Sequence, residues 1–90
     1  MTKNDFIKYC NDNWDVEWYE MAQALDVMDK CRCPLYMANE SIVSRIRDLA
    51  ECFIDENDLN EDWFDNKFDD EEEVFWKLDE KWFDPKNYEQ

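Results

Sequence analysis

Nine carboxylates fall within sixteen residues of this chain: Asp58, Glu61, Asp62, Asp65, Asp69, Asp70, Glu71, Glu72 and Glu73. On a helix, side chains three and four residues apart hold their β-carbons ~5–6 Å from one another. Duplex DNA carries one negative charge per ~1.7 Å of axis. Carboxylates on adjacent turns can therefore present an anionic lattice with a spacing near that of phosphates. Such a surface attracts basic proteins and repels nucleic acid and membranes. Trp76 follows the run, and an exposed aromatic rimmed by charge is typical of an interface anchor. The plainer alternative is a solvated face with no partner.

Other chemistries find less support. The segment Asp58-Leu59-Asn60-Glu61-Asp62 has the alternating oxygen donors that open a calcium loop. Trp63 stands where that loop needs glycine, and Asp69 where it needs a bidentate glutamate, so a helix cap is the expectation there. Cys10, Cys31, Cys33 and Cys52 supply a single close pair, Cys-x-Cys, whereas structural zinc sites show two pairs. The chain has no histidine, and the cysteines read as buried free thiols packing as small hydrophobes. No metal and no cofactor is expected. Serines and cysteines lack a histidine base, and among twenty-five acids some carboxylate pairs are inevitable. The chain is therefore not read as an enzyme.

The elements that would have to position the carboxylates are helical. A net charge of −15 on 90 residues favours disorder. A 17% share of aromatic residues opposes it, because each ring brings a large area to bury. Glycine is absent, which disfavours tight hairpins and phosphate-cradling loops. Asn11, Asn13, Asn39, Asn57, Asn60 and Asn66 fall near proposed helix ends, where asparagine tolerates left-handed backbone. No apolar run of ~20 residues exists to span a membrane. The first residues lack the basic start and apolar stretch of a signal peptide, so the expected location is the cytoplasm.

The fold expected is all-α, one compact bundle of four to five short helices over residues 1–90, with an acidic half from about residue 55. Thr2 and Asp5 resemble a capping box for a first helix over about 2–11. Trp14, Trp18, Met21, Leu25 and Met28 step by three and four along a second helix over about 15–30, which is broadly apolar and reads as central. Pro34 breaks it. Ile42, Ile46, Leu49, Ala50, Phe53 and Ile54 form the cleanest stripe, on a third helix over about 39–56; it shares the centre with the second. Asn60 is read as capping a short helix with Trp63, Phe64 and Phe68. The acids 69–73 open a last helix reaching about Phe83, buried through Val74, Phe75, Leu78 and Trp82. Trp76 and Phe83, seven residues apart, would share its other face, with Trp63 nearby. From residue 55 on there are fifteen acids and four lysines, against ten acids and six bases before it.

With Trp63, Phe64 and Phe68 set between acids from Asp55 to Glu73, the chain resembles the small acidic DNA-mimic inhibitors of bacteriophages and mobile elements. These include antirestriction proteins, anti-CRISPR proteins and inhibitors of uracil-DNA glycosylase. The resemblance lies in composition and covers mainly the second half. It implies a stoichiometric inhibitor working in the host cytoplasm, bound to a basic nucleic-acid-binding host protein such as a nuclease or CRISPR effector, with no direct contact to nucleic acid. Two other readings stand beside it. One is an adaptor that docks through the Trp76/Phe83 face. The other is a homodimer closed by a spare apolar face.

Overall fold

The computed structural model describes residues 1–88. Two of the three longest helices begin where a short polar side chain satisfies one of the first free N–H groups. Helix α1 (Lys3–Asp12) starts with the capping box expected of Thr2 and Asp5: Thr2 Oγ1 accepts the Asp5 N–H at 3.2 Å, and Asp5 Oδ2 accepts the Thr2 N–H at 2.7 Å. Helix α2 runs Trp18–Cys31, and α3 is the four-residue turn Leu35–Ala38. Helix α4 (Glu40–Glu56) is capped by Asn39, whose Oδ1 accepts the Ile42 N–H at 3.1 Å. The acidic half supplies α5 (Trp63–Lys67) and α6 (Glu71–Trp76), followed by 3₁₀ turns at Glu80–Phe83 and Pro85–Asn87. There is no strand among the described residues. The all-α class therefore holds, with six α-helices among the described residues in place of four or five.

Helix α4 is the hub. It buries Ile42, Ile46, Leu49, Ala50 and Phe53 and packs against α1, α2, α3 and α6. The stripe read from the sequence is the one that is used. Helix α2 shares the centre less than expected. It begins three residues late, leaving Trp14 and Val16 buried on an extended lead-in, and it buries only Met21 and Ala24. Its Tyr19 stays 71% exposed. The rest of its apolar face, Trp18, Leu25 and Met28, is only partly buried against the core.

Phe6 of α1, with no accessible surface, lies at the centre of an aromatic cluster. Its ring stands edge-on to Phe53 at 5.3 Å, Phe64 and Phe68 at 5.6 Å, and Trp63 at 6.0 Å. Edge-to-face pairs of this kind add ~0.5–1.5 kcal/mol beyond their buried area. The cluster joins the acidic half to helices α1 and α4 of the preceding segment. Among the described residues, the rings threaded between the acids hold that segment in place.

Three local expectations are corrected. The last helix stops at Trp76 and does not reach Phe83; the Lys77 N–H closes onto Val74, and the chain turns through Leu78 into the 3₁₀ turn. Leu78 is buried all the same, while the Trp82 indole turns to donate to Asn11 Oδ1 at 3.1 Å. Left-handed backbone falls on Arg32 and Asp58, at φ 51° and 52°, not on any asparagine. Finally, the thiols are free, but only Cys10 is buried; Cys31 and Cys52 are exposed. Burial pushes the Cys10 thiol up to about 12, so it stays protonated and packs as a hydrophobe.

Candidate functional site: an acid-lined depression beside α4

Helix α4 ends in a turn that shapes the site. Asp58 takes the left-handed position, the Leu59 N–H bonds back to the Ile54 carbonyl at 2.9 Å, and the Asp58 N–H to that of Asp55 at 3.4 Å. That pair of reversed bonds is the Schellman closure, which brings the flanking apolar side chains, here Ile54 and Leu59, together. Glycine usually fills the left-handed position; another residue costs ~1–2 kcal/mol there. This chain instead displays a carboxylate at that point.

The turn walls one side of an open depression of about 620 Å³. Glu51 and Asp55, one helical turn apart, line it from α4. Asp58, Glu61 and Asp62 line it from the connection to α5, and the half-buried Ile54 and Leu59 complete the lining. Five carboxylates thus face one concavity with no lysine or arginine in its lining. A smaller depression continues it along α4 toward Arg47, lined also by Ala50, Phe64 and Asp65. The acids of the main lining are all exposed. Among the described residues, no three acidic or cysteine side chains are disposed to hold a metal ion.

The expected nine-carboxylate surface divides in two. Asp58, Glu61, Asp62 and Asp65 are exposed on this side of the molecule. The run 69–73 is largely turned to internal work. Asp70 caps α6 by accepting the Glu73 N–H at 3.2 Å. Glu71 is buried, only 8% exposed, and its Oε1 pairs with Arg47 Nε at 2.7 Å. Glu72 accepts the Leu35 N–H at 2.7 Å and the Trp76 indole N–H at 3.2 Å. Glu73 binds Lys3 at 2.7 Å, Lys77 at 3.0 Å and the Asp69 N–H at 3.1 Å. The Lys3 ammonium holds the Glu73 carboxyl well down, at about 2. Asp69 remains exposed. Three cations compensate this run, whereas the depression has none in its lining. Glu51 and Asp55 join the site from outside the expected set. Their four-residue spacing on the outer face of α4 was visible in the sequence, but not that the chain folds back beside them.

Trp76 is 53% exposed. Its ring stacks on Phe83 at 6.1 Å and 11° between planes, and Glu72 fixes its N–H. The two rings do share a surface as expected, but through the chain reversal after α6, not along one helix. Trp63 is not beside them; it is buried against Phe6 and Phe53.

Comparison with protein-family models, with curated proteins and with solved structures finds no match. No helix among the described residues is long and apolar enough to cross a membrane.

Proposed function

We propose that this protein occupies the nucleic-acid site of a basic partner protein, presenting carboxylates in place of phosphates and so blocking that site. The observation that carries the reading is the depression beside α4, with five carboxylates in its lining and no compensating cation. Where an internal lysine or arginine neutralises an acid, little field is left for a partner. Where none does, the potential reaches outward about a Debye length, ~8 Å at physiological salt. Order in the surrounding backbone matters as well, since a floppy acidic segment loses entropy on docking. The aromatic cluster around Phe6 supplies that order.

The test is competition. A panel of purified DNA-binding proteins, including a restriction nuclease, an RNA-guided nuclease and a uracil-DNA glycosylase, is assayed for DNA binding with increasing amounts of this protein. Inhibition near one equivalent, weakened at least tenfold by neutralising Asp55, Asp58, Glu61 and Asp62 together and by raising salt, is the expected result. Binding that ignores both changes sinks the proposal.

A second reading has its own observation. Trp76 is exposed and stacked on Phe83, which suits an adaptor docking through an aromatic anchor. In that case Trp76→Ala abolishes partner binding, and the four neutralising substitutions leave it within about twofold.

A further inference from the structure

Two of the four cysteines form a pair that the proposed inhibition does not use. Cys31 is exposed and Cys33 half-buried, with only Arg32 between them. Cys10 is enclosed in the core, and Cys52 stands exposed on α4. We infer that Cys31 and Cys33 form a thiol–disulfide exchange site, closing a reversible intramolecular disulfide by reducing a low-molecular-weight disulfide such as oxidised glutathione. The pair lies outside the lining of the acidic depression, and the inference stands apart from the mimicry reading.

The backbone between them carries the argument. With planar trans peptides, the distance between the residues flanking a third is set by that residue's φ and ψ. Arg32 has φ 51° and ψ 43°, close to the mirror image of α-helical backbone. A mirror image keeps distances, so Cys31 and Cys33 take the helical spacing of residues two apart. On a helix of ~2.3 Å radius and ~1.5 Å rise per residue that is ~5.4 Å between α-carbons. Disulfides span roughly 4.4–6.8 Å, most often about 5.5–6 Å. An extended Cys-x-Cys would set its α-carbons about 6.6 Å apart, at the limit of that span. The folded chain imposes the closer spacing. Helix α2 ends at Cys31, Pro34 disfavours helical backbone at Cys33, and the chain leaves the helix through a left-handed position that arginine does not favour by itself. The Cys33 thiol contacts the Val27 carbonyl at 3.9 Å. A thiol is a weak donor, so little holds that sulfur back from turning toward Cys31.

The exchange runs in two displacements. The Cys31 thiolate, on the more exposed residue, attacks one sulfur of the small disulfide. A bond forms between those sulfurs, the original S–S bond breaks, and the departing small thiolate takes up a proton in place of the one Cys31 released. The Cys33 thiolate then attacks the Cys31 sulfur. The Cys31–Cys33 bond forms, the second small thiolate leaves, and it takes up a proton in place of the one from Cys33. The cysteine pair loses two electrons and two protons, and the small disulfide becomes two thiols. Exposed disulfides are the labile ones, so excess small thiol reverses the reaction.

The test equilibrates the reduced full-length protein in mixtures of reduced and oxidised glutathione, once folded and once in concentrated urea. Acid quenching, alkylation of the remaining thiols and peptide mass spectrometry then report each cysteine. We expect the Cys31–Cys33 peptide to lose two hydrogens and escape alkylation. At the same glutathione ratio, its disulfide-to-dithiol ratio should be roughly tenfold higher in the folded protein than in urea, because only the fold presets the spacing. Cys33→Ser should leave glutathione on Cys31 as a stable mixed disulfide. Arg32→Val, whose branched side chain resists left-handed backbone, should bring the ratio toward the urea value, with far-UV circular dichroism checking that the variant is folded. Equal ratios for the wild-type protein with and without urea overturn the inference. So does a mixed disulfide that persists on wild-type Cys31, or oxidation of Cys52 ahead of the pair.

Discussion

The Glu72 carboxylate accepts the backbone N–H of Leu35, thirty-seven residues earlier, at 2.7 Å. Pro34 offers no side-chain cap for the four-residue helix that begins at Leu35, so an acid from the far half of the chain caps it. The same carboxylate fixes the Trp76 indole. Replacing Glu72 with Ala leaves both donors unmatched. Loss of a cap costs ~0.5–2 kcal/mol, and we expect about 1–2 kcal/mol in urea unfolding, with a new, more mobile environment for Trp76 in its indole NMR signal.

Glu73 gives a pH dependence whose sign is fixed by its downward shift. Lys3 foremost, with help from the Asp69 N–H and Lys77, holds the folded carboxyl at about 2, against ~4.3 for an unperturbed glutamate. Its contribution is present above the unfolded value and fades as pH falls from about 4.5 to about 2. Relief of the large net negative charge acts the other way over the same range, so the comparison must be with Glu73→Gln. The wild-type protein should be more stable by up to about 1 kcal/mol at pH 7, the scale of part-exposed ion pairs, and the two melting curves should converge near pH 2.

Arg32 and Asp58 occupy left-handed backbone without being glycine. A non-glycine residue in that region costs ~1–2 kcal/mol. Glycine gives back part of this as unfolded-state entropy. Both Arg32→Gly and Asp58→Gly should therefore raise stability, each by about 0.5–1 kcal/mol in chemical denaturation. Their functional effects should separate: Arg32→Gly leaves partner binding within about twofold, while Asp58→Gly weakens it several-fold by removing one wall carboxylate of the depression.

Phe6→Ala tests whether the aromatic cluster orders the acidic half. Truncating a fully buried phenylalanine costs ~3–5 kcal/mol, a large part of the stability of a small domain. The near-UV circular dichroism of the tryptophans should collapse. Amide exchange should speed up first in α5, whose Trp63 and Phe64 pack on the lost ring. Unchanged protection of α5 would show that the segment holds its shape by other means.

Much of the scaffold was legible in the sequence, because it is decided by near neighbours. The Thr2–Asp5 box and the Ile42-to-Phe53 stripe each depend on residues within a turn or two of one another. The acid-rich composition, the lack of histidine and glycine and the dense aromatic content are likewise properties of the chain itself. The tertiary structure decided which acids face solvent and which are consumed. Glu71, Glu72 and Glu73 are spent on Arg47, Leu35 and Lys3, partners 24, 37 and 70 residues away. Glu51 and Asp55 come to share a depression with Asp58, Glu61 and Asp62 only because the chain turns at Asp58. Local spacing determines the face of a helix on which a carboxylate lies. Whether that face meets a cation, a backbone N–H or open water depends on how the helices pack, and that is set by burial summed over the whole core.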